Sequence, residues 1–173
     1  PTGWKGIYID ILETENVSQF LNILATGILQ SIHERKGTGK KIWDFIISLR
    51  PAISFDPLTG NPQATFHLRQ NEVENNIHSV FQFLELQKDR IVIAIDEFQQ
   101  IISYPEKNTD AWLRSRIQQL KNVVFIFSGS EQHLMRNLFT NPKKPFFFFF
   151  FLLKIERIDA TTYRDFIVSM FQQ

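Results

Sequence analysis

Apolar positions in this chain gather in two ways: as short unbroken runs, and as longer segments in which they recur at helical spacing. Residues 6–12, 91–95 and 123–127 are runs of the first kind, rich in Ile, Val and Phe. Runs of this length read as strands of a parallel sheet covered on both faces. The spaced segments predict helices. Asn16 caps the first, with Gln19 completing a capping box, and Val17, Phe20, Leu21, Leu24, Ile28 and Ile32 make its apolar face. That helix is expected to stop by Gly37. Residues 41–49 form a short helix carrying Trp43, Phe45, Ile46 and Leu49, ended by Pro51. Asn71 opens another with Glu74 as capping partner, placing Val73, Ile77, Val80, Phe81 and Leu84 on one face. Residues 110–120 are expected to bury Trp112, Leu113, Ile117 and Leu120 and to leave Arg114 and Arg116 outward. Between 52 and 67, two short strand-like runs flank Asp-Pro-Leu-Thr-Gly-Asn-Pro, which predicts a hairpin inserted outside the main sheet.

Composition narrows the class. With 173 residues and 43% hydrophobic content the chain holds one domain with a core. A net charge of +1 with 21% charged residues makes no case for bulk attraction to nucleic acid or membrane. The chain has no cysteine, which excludes a disulfide framework or a thiolate metal site, and its four histidines have no zinc spacing. A cytoplasmic setting is the expectation. No stretch reaches the roughly 18 apolar residues of a membrane span, and the first residues lack a signal peptide's pattern. The chain begins at Pro1 rather than Met, so a preceding segment is expected.

Two adjacent carboxylates, Asp96 and Glu97, follow the Ile91–Ile95 run, at the strand end where open α/β sheets place their ligands. The stretch IVIAIDEFQQ looks like a Walker B motif, in which the strand-ending acid holds Mg²⁺, often through water, and the next acid polarises the attacking water. The same pair would also suit the start of the following segment, where acids are favoured. There Phe98, Ile101 and Ile102 are expected on the core, with Gln99 and Gln100 remaining polar. The Val123–Phe127 run ends in Ser128-Gly129-Ser130. Ser128, with Ser130 close behind, fits the position of a sensor 1 residue that bonds the γ-phosphate or the water. A serine capping a helix at 131–139 is the alternative. The Gly-Lys of GTGKK at 37–41 is not a phosphate loop. A Walker A needs G-x-x-x-x-G-K-[ST] after a strand, whereas Glu34 stands five before Gly39, Lys41 follows Lys40, and a helix precedes them.

The DEFQ segment, the LRSRIQQLKNVVFIFSGS block, HLM, the NPKKPF turn, LLKIERID and TTYRDFI together resemble the archaeal-type P-loop ATPases of the STAND class, found in archaea and Bacteroidetes. The resemblance implies an α/β three-layer fold with a parallel sheet ordered 5-1-4-3-2. It also implies ATP and Mg²⁺ as cofactors, hydrolysis coupled to a conformational switch, Asp96 as the metal acid, and Glu97 and Ser128 as catalytic residues. Ser130 and Arg136 would serve nucleotide binding, with Arg157 a second phosphate-sensing candidate. The strands near 7–11, 91–95, 123–127 and 152–156 would be mutually parallel, with the first and third flanking the second. Two departures stand out. The family's opening strand and Walker A are not in this sequence, so the segment alone is expected to fold poorly, because strand one lies between strands five and four. Six consecutive phenylalanines, Phe146 to Phe151, replace a mixed stretch before the last strand. They read either as a buried strand or as an exposed surface for a protein partner. A non-catalytic interaction module on the same scaffold is the rival reading.

Overall fold

The Ile91–Ile95 run becomes the central strand of a parallel sheet in a computed structural model that describes residues 3–33, 52–55, 62–65 and 73–171. Strand β1 (Trp4–Asp10) and strand β5 (Val123–Phe127) flank β4 (Arg90–Asp96), in the order β1-β4-β5 and all parallel. The register sets Ile7 beside Ile93, Ile93 beside Phe125, and Asp10 beside Asp96. Side chains alternate across a strand, so Ile7, Ile9, Ile91, Ile93, Ile95 and Phe125 share one face, and all six are buried. The other face carries Tyr8, Val124 and Ile126, which are exposed. Cover on both faces, expected from the unbroken runs, is therefore not seen among the described residues.

Helix α1 (Val17–His33) covers the buried face with Val17, Phe20, Leu21, Leu24 and Ile28, as its rhythm predicts. Close approach depends on Gly27, where a β-carbon would come 3.0 Å from the Cγ2 atoms of both Ile7 and Ile9. The predicted capping box is displaced by one residue. Asn16 Oδ1 accepts from the Gln19 N–H at 3.0 Å, but Gln19 Oε1 reaches back to the Glu15 N–H rather than to that of Asn16. Helix α2 (Val73–Glu85) buries Val80, Phe81 and Leu84. Strands β2 (Ala52–Phe55) and β3 (Pro62–Thr65) pair antiparallel in a sheet of their own, and the turn between them lies outside the described residues. The expected helix at 41–49, the helix stop at Gly37 and the GTGKK loop lie outside the described residues.

After β4 a 3-10 helix (Phe98–Ser103) replaces an α-helical turn, and Tyr104 then leaves in extended conformation. Phe98 and Ile101 are buried as expected, whereas Ile102 is exposed and Gln99 is only 4% accessible. Helix α3 (Thr109–Ile117) buries Leu113 and Ile117, with Trp112 edge-on to Phe81. Helix α4 (Gln132–Thr140) buries Met135, Leu138 and Phe139. Phe98 gathers the second half of the core. Its ring centroid lies 4.0 Å from that of Phe127, 5.9 Å from Phe139 and 5.6 Å from Phe146.

The phenylalanine run is not a strand. The Phe147 and Phe149 N–H groups donate to Lys144 and Phe146 carbonyls, and Phe148 has φ 53°, so successive tight turns bring Phe146 and Phe150 back to the aromatic cluster. Phe148 and Phe151 are left exposed. Those turns divert the chain from the sheet direction, and the strand expected at 152–156 does not form: residues 151–159 have no regular structure and are exposed throughout. Arg114 is not outward either, because the returning turn places the Phe149 ring 4.6 Å from its guanidinium carbon. Helix α5 (Ala160–Phe171) follows and buries no residue. Among the described residues no helix is long and apolar enough to cross a membrane.

Candidate functional site

The carboxyl ends of β4 and β5 bring Asp96, Glu97, Ser128 and Ser130 together. Parallel pairing fixes this: the Ser128 N–H continues the ladder to the Ile95 carbonyl at 3.0 Å, and the Phe98 N–H returns to the Ser128 carbonyl at 2.9 Å. Ser128 Oγ donates to Asp96 Oδ1 at 2.7 Å. Ser130 Oγ donates to Glu97 Oε2 at 3.0 Å. Each serine thus meets one of the two acids. Neither caps α4, whose N-cap position is Glu131 with no side-chain bond.

Asp96 is further held by two donors, the Glu97 N–H to Oδ1 at 3.0 Å and the Tyr8 hydroxyl to Oδ2 at 2.9 Å. The Ser128 bond, then the Tyr8 bond, hold its carboxyl below the usual carboxylate range, against a small opposing effect of burial. The same contact and the negative charge around it push the Tyr8 phenol up. Glu97 stands in the left-handed region, φ 54° and ψ 40°, and its side chain does not cap the 3-10 helix. Its Oε2 also accepts from Gln99 Nε2. The pair therefore does not serve as a helix cap.

An ionised carboxylate has about four acceptor positions. Asp96 uses three of them, which leaves one for a hydrogen bond from a metal-held water. Among the described residues no group of three or more His, Cys, Asp or Glu could cage a metal. That donor set fits Mg²⁺, which keeps most of its waters and takes one or two carboxylates alongside substrate phosphates. Arg136 lies exposed on α4, outside the hydrogen bonds that join these four residues, and Arg157 lies in the exposed 151–159 segment. Tyr8 and Gln99 were not picked out from sequence. The register that carries Tyr8 to Asp96 joins positions 88 residues apart, and only the alternation of Tyr8-Ile9-Asp10 marks Tyr8 and Asp10 as sharing a face.

No family model matches the sequence, and no curated protein matches it. Solved structures do. The Walker-type ATPase PABY2304 of Pyrococcus abyssi superposes with a TM-score of 0.50 at 18% identity, over 97% of this chain and 46% of that one. The ORC2 protein of Aeropyrum pernix, solved in ADPNP and ADP complexes, gives a TM-score of 0.43 at 11% identity, over 80% of this chain and 28% of its own. The chain thus spans about half of the first of these proteins and less of the second. At these identities the likeness is one of fold. The three-stranded parallel sheet with its helices is an α/β arrangement matching part of the Walker-type ATPase.

Proposed function

We propose that this chain is the Walker B and sensor 1 part of a STAND-class, AAA-like ATPase that works as a Mg²⁺-dependent, cytoplasmic molecular switch. The observation that carries the reading is the 2.7 Å bond between Ser128 and Asp96, which sets the strand-ending acid, the neighbouring acid and a hydroxyl from the adjacent strand at one sheet edge. A solitary acidic pair that only started a helix would gain nothing from a serine on the next strand.

In this reading Asp96 receives the water shell of Mg²⁺, which when bound would neutralise charge on the phosphates. Glu97 accepts a proton from a water whose oxygen adds to the γ-phosphorus while the bond to the bridging oxygen breaks, giving ADP and phosphate. Ser128 and Ser130 orient the two acids, each hydroxyl oxygen keeping lone pairs that can accept from the attacking water, and Arg136 is assigned to the nucleotide's phosphates. The full-length gene product tests it by single-turnover hydrolysis of ATP. Glu97→Gln should bind ATP while turnover falls by roughly 10²–10⁴-fold, the scale of a lost general base. Turnover at the parent's rate would leave the acids structural and favour an interaction module on this scaffold.

A further inference from the structure

We propose that Gln99 is a positioning residue for Glu97, and that position 129 is a glycine because Gln99 fills the space a β-carbon would need. The proposal rests on Glu97 being the hydrolytic base.

Gln99 is 4% accessible, and its buried Oε1 has no hydrogen-bond partner among the described residues. An unpaired buried oxygen is costly, and a leucine of similar volume would avoid that cost. Core stability therefore does not account for an amide here. The other end of the amide does: Nε2 donates to Glu97 Oε2, the oxygen that Ser130 also reaches from the opposite loop. Ser130 is exposed and its hydroxyl can turn, whereas Gln99 is enclosed and fixed. It is the rigid member of the pair.

Gly129 is what encloses it. A β-carbon there would lie 2.1 Å from Gln99 Oε1 and 2.9 Å from Met135 Sδ. The thioether can shift, being flexible, but the amide cannot move without leaving Glu97. Gly129 does not lie in the left-handed region, so space rather than backbone freedom excludes a side chain. With the Phe98 N–H bonded to the Ser128 carbonyl, the 97–99 turn and the 128–130 loop form one unit around the Glu97 carboxylate.

The test uses the full-length protein with ATP and Mg²⁺, and the variants Gln99→Leu, Gln99→Ala, Gly129→Ala and the double Gln99→Ala/Gly129→Ala. Gln99→Leu should lower kcat on the order of 10–10²-fold, the scale of a misplaced catalytic group, with KM and ATP affinity unchanged and Tm unchanged or raised. Gly129→Ala should do the same by displacing the amide, so that the double variant is no slower than Gln99→Ala alone. In protein free of nucleotide and metal, the Gln99 side-chain amide should exchange slowly with solvent and its NMR signal should move on Glu97→Ala. Parent-like kcat in Gln99→Leu, additive effects in the cycle, or an amide signal indifferent to Glu97→Ala would each overturn the proposal. If Glu97→Gln abolishes turnover while Gln99→Leu does not, positioning fails and the hydrolytic reading stands. If Glu97→Gln is fully active, both fall.

Discussion

The Tyr8 hydroxyl on β1 donates to Asp96 Oδ2 on β4, 2.9 Å away, and so ties the candidate metal acid to the strand on the side opposite Ser128. Asp96 is thereby gripped from both neighbouring strands. Partners of this kind orient a metal-holding carboxylate, and their loss typically weakens metal affinity by roughly 10–100-fold. Because Ser128 and the Glu97 N–H remain, Tyr8→Phe should raise the half-saturating Mg²⁺ for ATP turnover by no more than about tenfold. Asp96→Asn should raise it further, and excess Mg²⁺ should restore part of the rate in both but none in Glu97→Gln. A Tyr8→Phe protein with the parent's Mg²⁺ curve would show that the phenol does not orient the acid.

Tyr104 carries the pH dependence. Its buried hydroxyl bonds to Thr14, whose own hydroxyl donates to the Ile11 carbonyl, so the phenol is the donor. Burial first, and the charge of Glu106 to a lesser degree, push the phenol up to about 12. In the unfolded chain it ionises near its ordinary value of about 10. Between those values the unfolded state releases the proton first, so stability is whole below about pH 10 and falls as pH rises toward 12. The loss reaches at most about 2–3 kcal/mol. Tyr104→Phe should be less stable than the parent at pH 8 by about 0.5–1.5 kcal/mol, the cost of the lost bond, and should lose less on going to pH 12. Urea melts of both proteins across pH 8–12 check this; parallel curves would contradict it.

The three main strands, the β2 and β3 runs and the helical faces were legible because each is written locally, as a run or a period. The contacts that complete the site were not. Tyr8 meets Asp96 only through a strand register, and Gln99 reads from sequence as a residue that remains polar, with no local sign of its burial. The left-handed Glu97 and the 3-10 helix rotate it inward instead. Arg114 read as a solvated charge, since nothing near it in sequence foretells a phenylalanine ring folded back from position 149. The strand at 152–156 was inferred from resemblance, and the turns of the phenylalanine run remove it.

Within that run the six residues should not be equivalent. Phe146 is fully buried against Phe98, Phe127 and Phe139, while Phe148 is 86% accessible. Phe146→Ala should cost about 3–5 kcal/mol, the range for emptying an aromatic core site, and Phe98→Ala a similar amount. Phe148→Ala should stay within about 0.5 kcal/mol of the parent. Denaturant melts with matched slopes give the three values. Equal losses at 146 and 148 would mean that the run packs as a strand after all.

Helix α5 is held by its own first turn. Asp159 accepts the N–H groups of Thr161 and Thr162 at 3.0 Å each and the Thr162 hydroxyl, bonds that hold its carboxyl below the usual range. Tyr163, Phe166, Ile167 and Met170 recur along one side at helical spacing, yet no residue of the helix is buried. A helix of 12 residues that buries none of them is marginal in water. Its backbone amides should therefore exchange far faster than those of β4, whose ladder lies inside the sheet. Asp159→Ala should speed exchange in 160–171 while leaving β4 unchanged. The cap acts through the ionised carboxylate, so its contribution is present above the ordinary carboxylate range and is lost as pH falls through the lowered value. Slow, β4-like exchange of α5 in the isolated chain would show that its apolar side has found a covering surface.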